Sequence, residues 1–259
     1  MTFYNYFEIN SANADKYPEL YELNINLFIP QIFDLINLND NIDSNILDIS
    51  TIEFYNKQYN IDSNIIKSLF DYYKSDKGNT YASIYAYFLN KYVNKKCRLL
   101  EIGLGTNNPN LISTMGNDGI YRCGGSLRSF RDYLSDSSIY GADVDSQSLF
   151  NENRILTYYV DQLEKNTFTN LYDNCGNEKF DIIIDDGLHC IGANLNTLIF
   201  ALENINNNGL IIIEDIISSK MKAYQIIDHI LKSKNKNKYK TTFVNYNDKK
   251  GFVYIIEVL

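Results

Sequence analysis

Five short apolar runs, each ending in an acid or a glycine, constrain this chain more than any other feature. They are CRLLEIGLG (97–105), SIYGADVD (138–145), RILTYYVDQ (154–162), FDIIIDDG (180–187) and NGLIIIEDI (208–216). Runs this short and this rich in Ile and Leu read as strands buried on both faces. Helical stretches alternate with them. One is NLNTLIFALENINN (194–207), between the last two runs; another is SSKMKAYQIIDHILKSK (218–234), after them. Strands alternating with helices imply a mostly parallel sheet covered on both faces. Two further runs, KTTFVNYN and FVYIIEVL, are joined by DKKG and read as an antiparallel hairpin closing that sheet. The expected fold class is therefore α/β, a doubly wound, mostly parallel sheet of seven strands.

The N-terminal residues have a different texture, rich in Tyr, Asn and Ile. NINLFIPQIFDLINLND carries apolar residues at helical spacing, broken by Pro30. SNIIKSLFDYYK (63–74) reads as an amphipathic helix with Ser63 as its N-cap. The expected organisation is a helical cap over residues 1–66 and a main domain over residues 67–259.

Composition removes several classes. With 259 residues, 45% hydrophobic and 22% charged, the chain can bury a large core. No apolar run approaches the ~18 residues that a membrane span needs. The N-terminus lacks the basic start and apolar middle of a secretory signal, so the chain reads as cytoplasmic. Its 24 basic and 32 acidic residues leave a net charge of −8. Lys232, Lys234, Lys236, Lys238 and Lys240 form the one basic cluster, which reads as a solvated helix end and turn. No nucleic-acid partner is expected. Cys97, Cys123, Cys175 and Cys190 lack metal-site spacing and read as reduced structural thiols.

The position of the acids points to chemistry. In a parallel sheet all strand C-termini lie on one edge, where ligands bind. That edge collects Glu101, Gly103 and Gly105 from the first run, and Asp143 and Asp145 from the second. The later runs add Asp161 and Gln162, then Asp185, Asp186 and His189, then Glu214 and Asp215. One acid on such a rim means little, but two acidic pairs on consecutive runs repel unless protonated, hydrogen-bonded or neutralised. A hard divalent cation suits such oxygen donors. EIGLG supplies a glycine turn through which backbone can approach a ligand. It departs from the dinucleotide fingerprint, with Asn108 at the third glycine position and a long loop (106–125) before the next helix. Glu101 before that turn suits a cofactor carrying positive charge.

Taken together, these pieces resemble the class I S-adenosylmethionine-dependent methyltransferases. The nearest resemblance is to the metal-dependent sugar O-methyltransferases of the macrocin and mycinamicin type. The matching segments are SDKGNTYASIY (75–85), LLEIGLG (99–105), GGSLRSFRDYL (124–134), IYGADVD (139–145), VDQ (160–162), FDIIIDDGLH (180–189) and LIIIEDI (210–216). They run in the family's order over more than half the chain. The resemblance implies a Rossmann-like methyltransferase sheet, with S-adenosylmethionine and a divalent metal, magnesium, as cofactors. It further implies that Glu101, Gly103 and Gly105 hold the methionine part of the cofactor and that Asp143 binds its ribose. Asp161 and Gln162 would lie near the adenine, with Asp185 beside them in the cofactor set. Asp186, Glu214 and Asp215 would be metal ligands, and His189 the general base working beside Asp186. Two departures stand out. The stretch between SDK and the Tyr81/Tyr85 pair, where the family usually carries a histidine, is shorter here, and Thr80 precedes Tyr81. Leu188 replaces the serine of DDGSH.

The implied reaction is in-line transfer of a methyl group to oxygen. A sugar hydroxyl is as weak an acid as water, with a pKa of about 16, so a cation that stabilises the alkoxide helps most. His189 would take the proton, its neutral form being well populated near pH 7. A plainer role for His189 is a hydrogen bond to a carboxylate. The expected partner is a small-molecule sugar or sugar nucleotide, with no membrane, and a homo-oligomer is left open. Tyr81 and Tyr85 are candidates for lining the cleft. Arg122, Arg128 and Arg131 could meet a phosphorylated acceptor or stay exposed, and Lys220 could touch substrate or acid. His229 reads as structural. Competing readings are a nicotinamide-dependent oxidoreductase on a similar sheet, a non-catalytic interaction protein that kept the fold, and a catechol-type O-methyltransferase.

Overall fold

A computed structural model describes residues 29–36, 42–106, 108, 122–234, 237–247 and 251–259. Its centre is a sheet of eight strands: β1 (Ile46–Asp48), β2 (Arg98–Ile102), β3 (Ser138–Asp143), β4 (Ile155–Tyr159), β5 (Phe180–Asp185), β6 (Ile205–Ile217), β7 (Tyr239–Asn245) and β8 (Gly251–Val258). The spatial order is β1-β7-β8-β6-β5-β2-β3-β4. Every pairing is parallel except those of β8 with β6 and β7. The α/β doubly wound sheet with a closing antiparallel pair is therefore as expected. Its eighth strand, β1, is an addition to the seven. Three residues are too few to show a period, and β1 is held at the edge by partners far away in sequence. Asn45 donates to Thr242 at 2.9 Å, and Asn245 donates to Asp48 at 2.9 Å.

The helices form two layers. Residues 29–36 are helical (α1), with Pro30 in the first turn, where a missing N–H costs nothing. The rest of the segment around Pro30 lies outside the described residues. Then follow α2 (Ile49–Gln58), α3 (Ser63–Tyr72), α4 (Lys77–Thr80), α5 (Ala82–Leu89), α6 (Gly125–Tyr133), α7 (Lys165–Asn174), α8 (Ile191–Asn204) and α9 (Met221–Lys234). The N-cap of α3 is Asp62 and not Ser63: the Asp62 carboxylate accepts from the Asn64 N–H at 2.9 Å. Helices α2, α3, α5 and α6 pack on one sheet face, with Leu99, Ile139, Ile182, Ile184 and Ile212. Helices α7, α8 and α9 cover the other, with Leu100, Tyr140, Ile183, Ile211 and Ile213. Alternate residues of the same strand serve opposite cores, so the runs are continuously apolar. Among the described residues no helix is long and apolar enough to cross a membrane.

The order of strands locates the site. From β2 the chain steps outward to β3 and β4, then returns to the other side of β2 with β5. The two connections leave the sheet in opposite directions and open a crevice beyond the C-terminal ends of β2 and β5.

Candidate active site

A cavity of about 570 Å³ occupies that crevice. Its wall includes Gly103, Gly105, Asp143, Asp161, Gln162, Asp186, His189 and Asp215. Glu101, Asp185 and Glu214 do not line it. They are 0%, 0% and 1% exposed and stand one layer behind.

The turn after β2 is shaped by contact. Gly103 has φ +97, and a Cβ there would run into the carbonyl oxygen of Asp186. Only glycine meets both the dihedral and the close approach. The Gly103 N–H donates to Ala142 O at 2.8 Å and the Asp186 N–H to Ile102 O at 2.8 Å, locking the two loops onto neighbouring strands. Asp143 accepts from the Leu104 N–H at 2.7 Å and from the Asp145 N–H at 2.8 Å. Burial raises its carboxyl pKa against those bonds. Gln162 acts as a clamp: it donates to Asp185 at 2.9 Å and to Thr197 at 2.8 Å, and accepts from the Leu188 N–H at 2.7 Å. Asp161 accepts from the Leu163 N–H at 2.9 Å.

The acids at the ends of β5 and β6 surround a lysine. Lys77 Nζ, on α4 and 2% exposed, bonds Asp186 Oδ2, reaches Glu214 Oε2 at 2.7 Å, and stands 3.5 Å from Glu101 Oε1. Burial alone would strip its proton, but Asp186 and Glu214 hold its pKa well above the usual lysine value. Burial pushes the Glu101 carboxyl up to about 7, with Lys77 and the Ser126 hydroxyl opposing. Glu214 also accepts from the Tyr85 hydroxyl. The acidic edge is thus neutralised in part by a lysine side chain, where the sequence pointed to a divalent ion as the natural cation. Lys77 lay inside SDKGNTYASIY but carried no assigned role. The available clue was the surplus of buried acids, which demands a cation.

Asp186, His189 and Asp215 converge. One ligand atom from each lies within 4.8 Å of the others. His189 Nε2 is 3.8 Å from Asp186 Oδ1 and 3.6 Å from Asp215 Oδ2. Both His189 (φ +52) and Asp215 (φ +54) hold left-handed backbone, a conformation that Asp and His adopt more readily than most residues. Lys220 fastens the His189 turn by donating to its carbonyl at 3.1 Å. Asp215 accepts from Tyr81 and, at 2.8 Å, from Tyr246. Burial raises the Asp215 carboxyl, yet these hydroxyls hold it below the usual range.

Of the three arginines, only Arg122 lines the cavity. Arg128, 5% exposed, pairs with Glu152 at 2.7 Å, and Arg131 pairs with Glu152 and Asp132. Neither is a free surface charge. His229 sits half-buried on α9, away from the cavity wall. The four cysteines are free thiols, and Lys232 and Lys240 pair with Asp228 and Glu257 around the ends of α9 and β7.

No family model matches the chain. Curated relatives do. The 8-demethyl-8-alpha-L-rhamnosyl tetracenomycin-C 2'-O-methyltransferase of Streptomyces olivaceus is 31% identical over 148 residues, 57% of this chain and 36% of that protein. The demethylmacrocin O-methyltransferase of Streptomyces fradiae is 35% identical over 127 residues, 49% of this chain and 29% of that protein.

The chain is similar to sugar O-methyltransferases.

It spans about a third of the length of these relatives. Among solved structures, the MycE methyltransferase of the mycinamycin biosynthetic pathway, in complex with Mg and SAH, superposes with a TM-score of 0.59 at 20% identity. The match covers 74% of this chain and 54% of that one. The Rossmann-like methyltransferase fold expected from the sequence is thereby established.

Proposed function

We propose that this chain is a metal-dependent O-methyltransferase. It moves the methyl group of S-adenosylmethionine to a hydroxyl of a sugar or nucleotide-activated sugar. One observation carries the reading: the Gly103 turn and the Asp186–His189–Asp215 group open on the same cavity. Cofactor and acceptor would share that space. The relatives named as sugar O-methyltransferases, and the MycE complex with Mg, SAH and Mycinamycin VI, support the same reading.

The residues fit the groups this reaction needs. Glu101 Oε1 accepts no short hydrogen bond, has Lys77 Nζ 3.5 Å away, and lies beneath a turn that suits the cationic end of a methionine. Gly103 and Gly105, both at positive φ, leave the backbone open to that ligand. Asp143 accepts two backbone N–H groups on its carboxylate and retains lone pairs for two ribose hydroxyls. Asp161 and Gln162 line the cavity for the adenine, with Asp185 holding Gln162 from behind. Asp186 Oδ1 and Asp215 Oδ2 make a hard-donor face for a divalent ion, and His189 Nε2, 3.8 and 3.6 Å from them, would stand beside that ion as the base and not as its ligand. Asp186 and Asp215 would hold that ion, while Glu214, expected as a ligand, has its two oxygens engaged by Lys77 and Tyr85 one layer behind. Residues 67–259 carry this machinery, and the described residues 46–66 add β1 to the sheet edge and pack α2 and the start of α3 against its core.

When bound, the cofactor supplies an activated methyl group and the ion supplies Lewis-acid stabilisation of the alkoxide. His189 Nε2, facing the same point as the two carboxylates, accepts the hydroxyl proton. Lys77 holds Asp186 and Glu214 in place and opposes the burial that raises both carboxyl pKa values. The decisive experiment measures S-adenosylhomocysteine formation over free and nucleotide-linked sugars, with magnesium and with a strong chelator. Turnover on a sugar that needs the ion is expected. His189→Ala should lower kcat by about 10²–10⁴-fold with S-adenosylhomocysteine affinity retained. Full turnover under chelation would remove the metal from the reaction, and normal turnover by His189→Ala would remove the base.

A further inference from the structure

The two carboxylates of the converging group each have one oxygen held and one presented. On Asp186, Oδ2 accepts from Lys77, and Oδ1 is the atom 3.8 Å from His189 Nε2. On Asp215, Oδ1 accepts from both Tyr81 and Tyr246, and Oδ2 is the atom 3.6 Å from His189. The last torsion of an aspartate is broad and nearly two-fold, so nothing in Asp215 itself chooses which oxygen faces the centre. The backbone only brings it there. β6 slips its register against β8 between Ile213 and Ile216, sending Glu214 into the buried layer and Asp215 toward the cavity. The choice of oxygen is made by the two hydroxyls.

Tyr246 is built for that task. It directly follows β7, and its N–H donates to Gly251 O at 3.1 Å across the base of the hairpin. A Cβ on Gly251 would collide with the Tyr246 ring, so the glycine makes room for it. The ring packs edge-on against Tyr81 at 4.9 Å, bringing both hydroxyls to the same oxygen. Tyr81 arrives from a segment distant in sequence, at the boundary of α4 and α5.

We propose that Tyr246, together with Tyr81, is a positioning residue for the divalent ion. By occupying Oδ1 of Asp215, the two hydroxyls turn Oδ2 toward the point it shares with Asp186 Oδ1 and His189 Nε2. The inference rests on the metal-dependent reading above. Removing a partner that orients a ligand typically weakens metal affinity 10–100-fold.

The test is direct binding of manganese(II), followed by paramagnetic resonance of the free ion, in the full chain. Tyr246→Phe keeps the ring and its packing and deletes one donor. The Tyr81→Phe/Tyr246→Phe pair deletes both. The expected result is weaker manganese binding by about 10-fold in the single variant and more in the double. S-adenosylhomocysteine affinity, measured without metal, and Tm should stay near wild type. Wild-type manganese affinity in the double variant overturns this inference and leaves the metal-dependent reading standing. Failure of the wild-type protein to bind manganese overturns both. A parallel loss of S-adenosylhomocysteine affinity and Tm makes the tyrosines merely structural, which also overturns it.

Discussion

Lys77 sets the charge balance of the site, and its replacement gives the sharpest test at the scale of one residue. Three carboxylates face a single buried ammonium. Removing one partner of a buried ionic group leaves the others uncompensated, which typically costs about 3–5 kcal/mol. Lys77→Met should therefore destabilise the protein by that order in urea unfolding near pH 7. A loss below about 1 kcal/mol would mean that water or a bound cation takes over the neutralisation. Gly103→Ala is a second residue-scale test. The added methyl meets a backbone oxygen that cannot swing away, and the backbone is held at φ +97. A cost of about 1–3 kcal/mol from strain alone is expected, with lost S-adenosylhomocysteine binding, read by calorimetry. Full binding by Gly103→Ala would place the cofactor away from this turn. Glu101, Asp143, Asp186 and Glu214 were legible in the sequence because each ends an apolar run, and the sheet fixes where such ends lie. Lys77 and Tyr246 were not, because each reaches the site from a distant segment with no local pattern marking it.

Individual elements reveal a different limit. Helix α6 was legible as a helix, but its exposed side was not. Arg128 and Arg131, three apart, are open in the sequence to a phosphorylated acceptor or to solvent, yet α6 is buried over its first six residues. Arg128 stacks on Phe150 at 4.1 Å and grips Glu152, fastening α6 to the segment that leads into β4. Glu152 is held below the usual glutamate range, chiefly by its hydrogen bonds from Arg128. A carboxylate lowered in the folded state stabilises above its unfolded pKa of about 4.5, and the contribution is lost as pH falls through the lower folded value. Glu152→Gln should cost about 1–2 kcal/mol at pH 7, since the group is partly exposed. The gap to wild type should close towards pH 3. An equal gap at pH 7 and pH 3 in urea unfolding would assign the effect to packing and not to charge. β1 teaches the same lesson from the other side: Asn45 and Asn245 fix it through partners almost two hundred residues away in sequence, so no local reading finds it.

For the molecule as a whole, the crevice between β2 and β5 decides which ligand the fold can take. Parallel strands, helices on both faces and a turn beyond β2 are common to dinucleotide enzymes and methyltransferases, so the fold by itself does not choose. The turn does. Asn108 stands where a third glycine would be, and Glu101, buried beneath the turn, disfavours phosphate and favours a cationic ligand. A ligand that binds only the folded state stabilises it by about 2.7 kcal/mol at a hundred times its Kd. In a chain of this size each kcal/mol raises Tm by about 2 °C. S-adenosylhomocysteine at that excess should therefore raise Tm by about 5 °C, and NADH should leave it unchanged. Magnesium added to the S-adenosylhomocysteine complex should raise Tm further, because Asp186 and Asp215 lose mutual repulsion when an ion sits between them, and a chelator should reverse that increment alone. If NADH raised Tm and S-adenosylhomocysteine did not, the crevice would belong to a hydride-transfer enzyme, and the acids of β5 and β6 would need a different account.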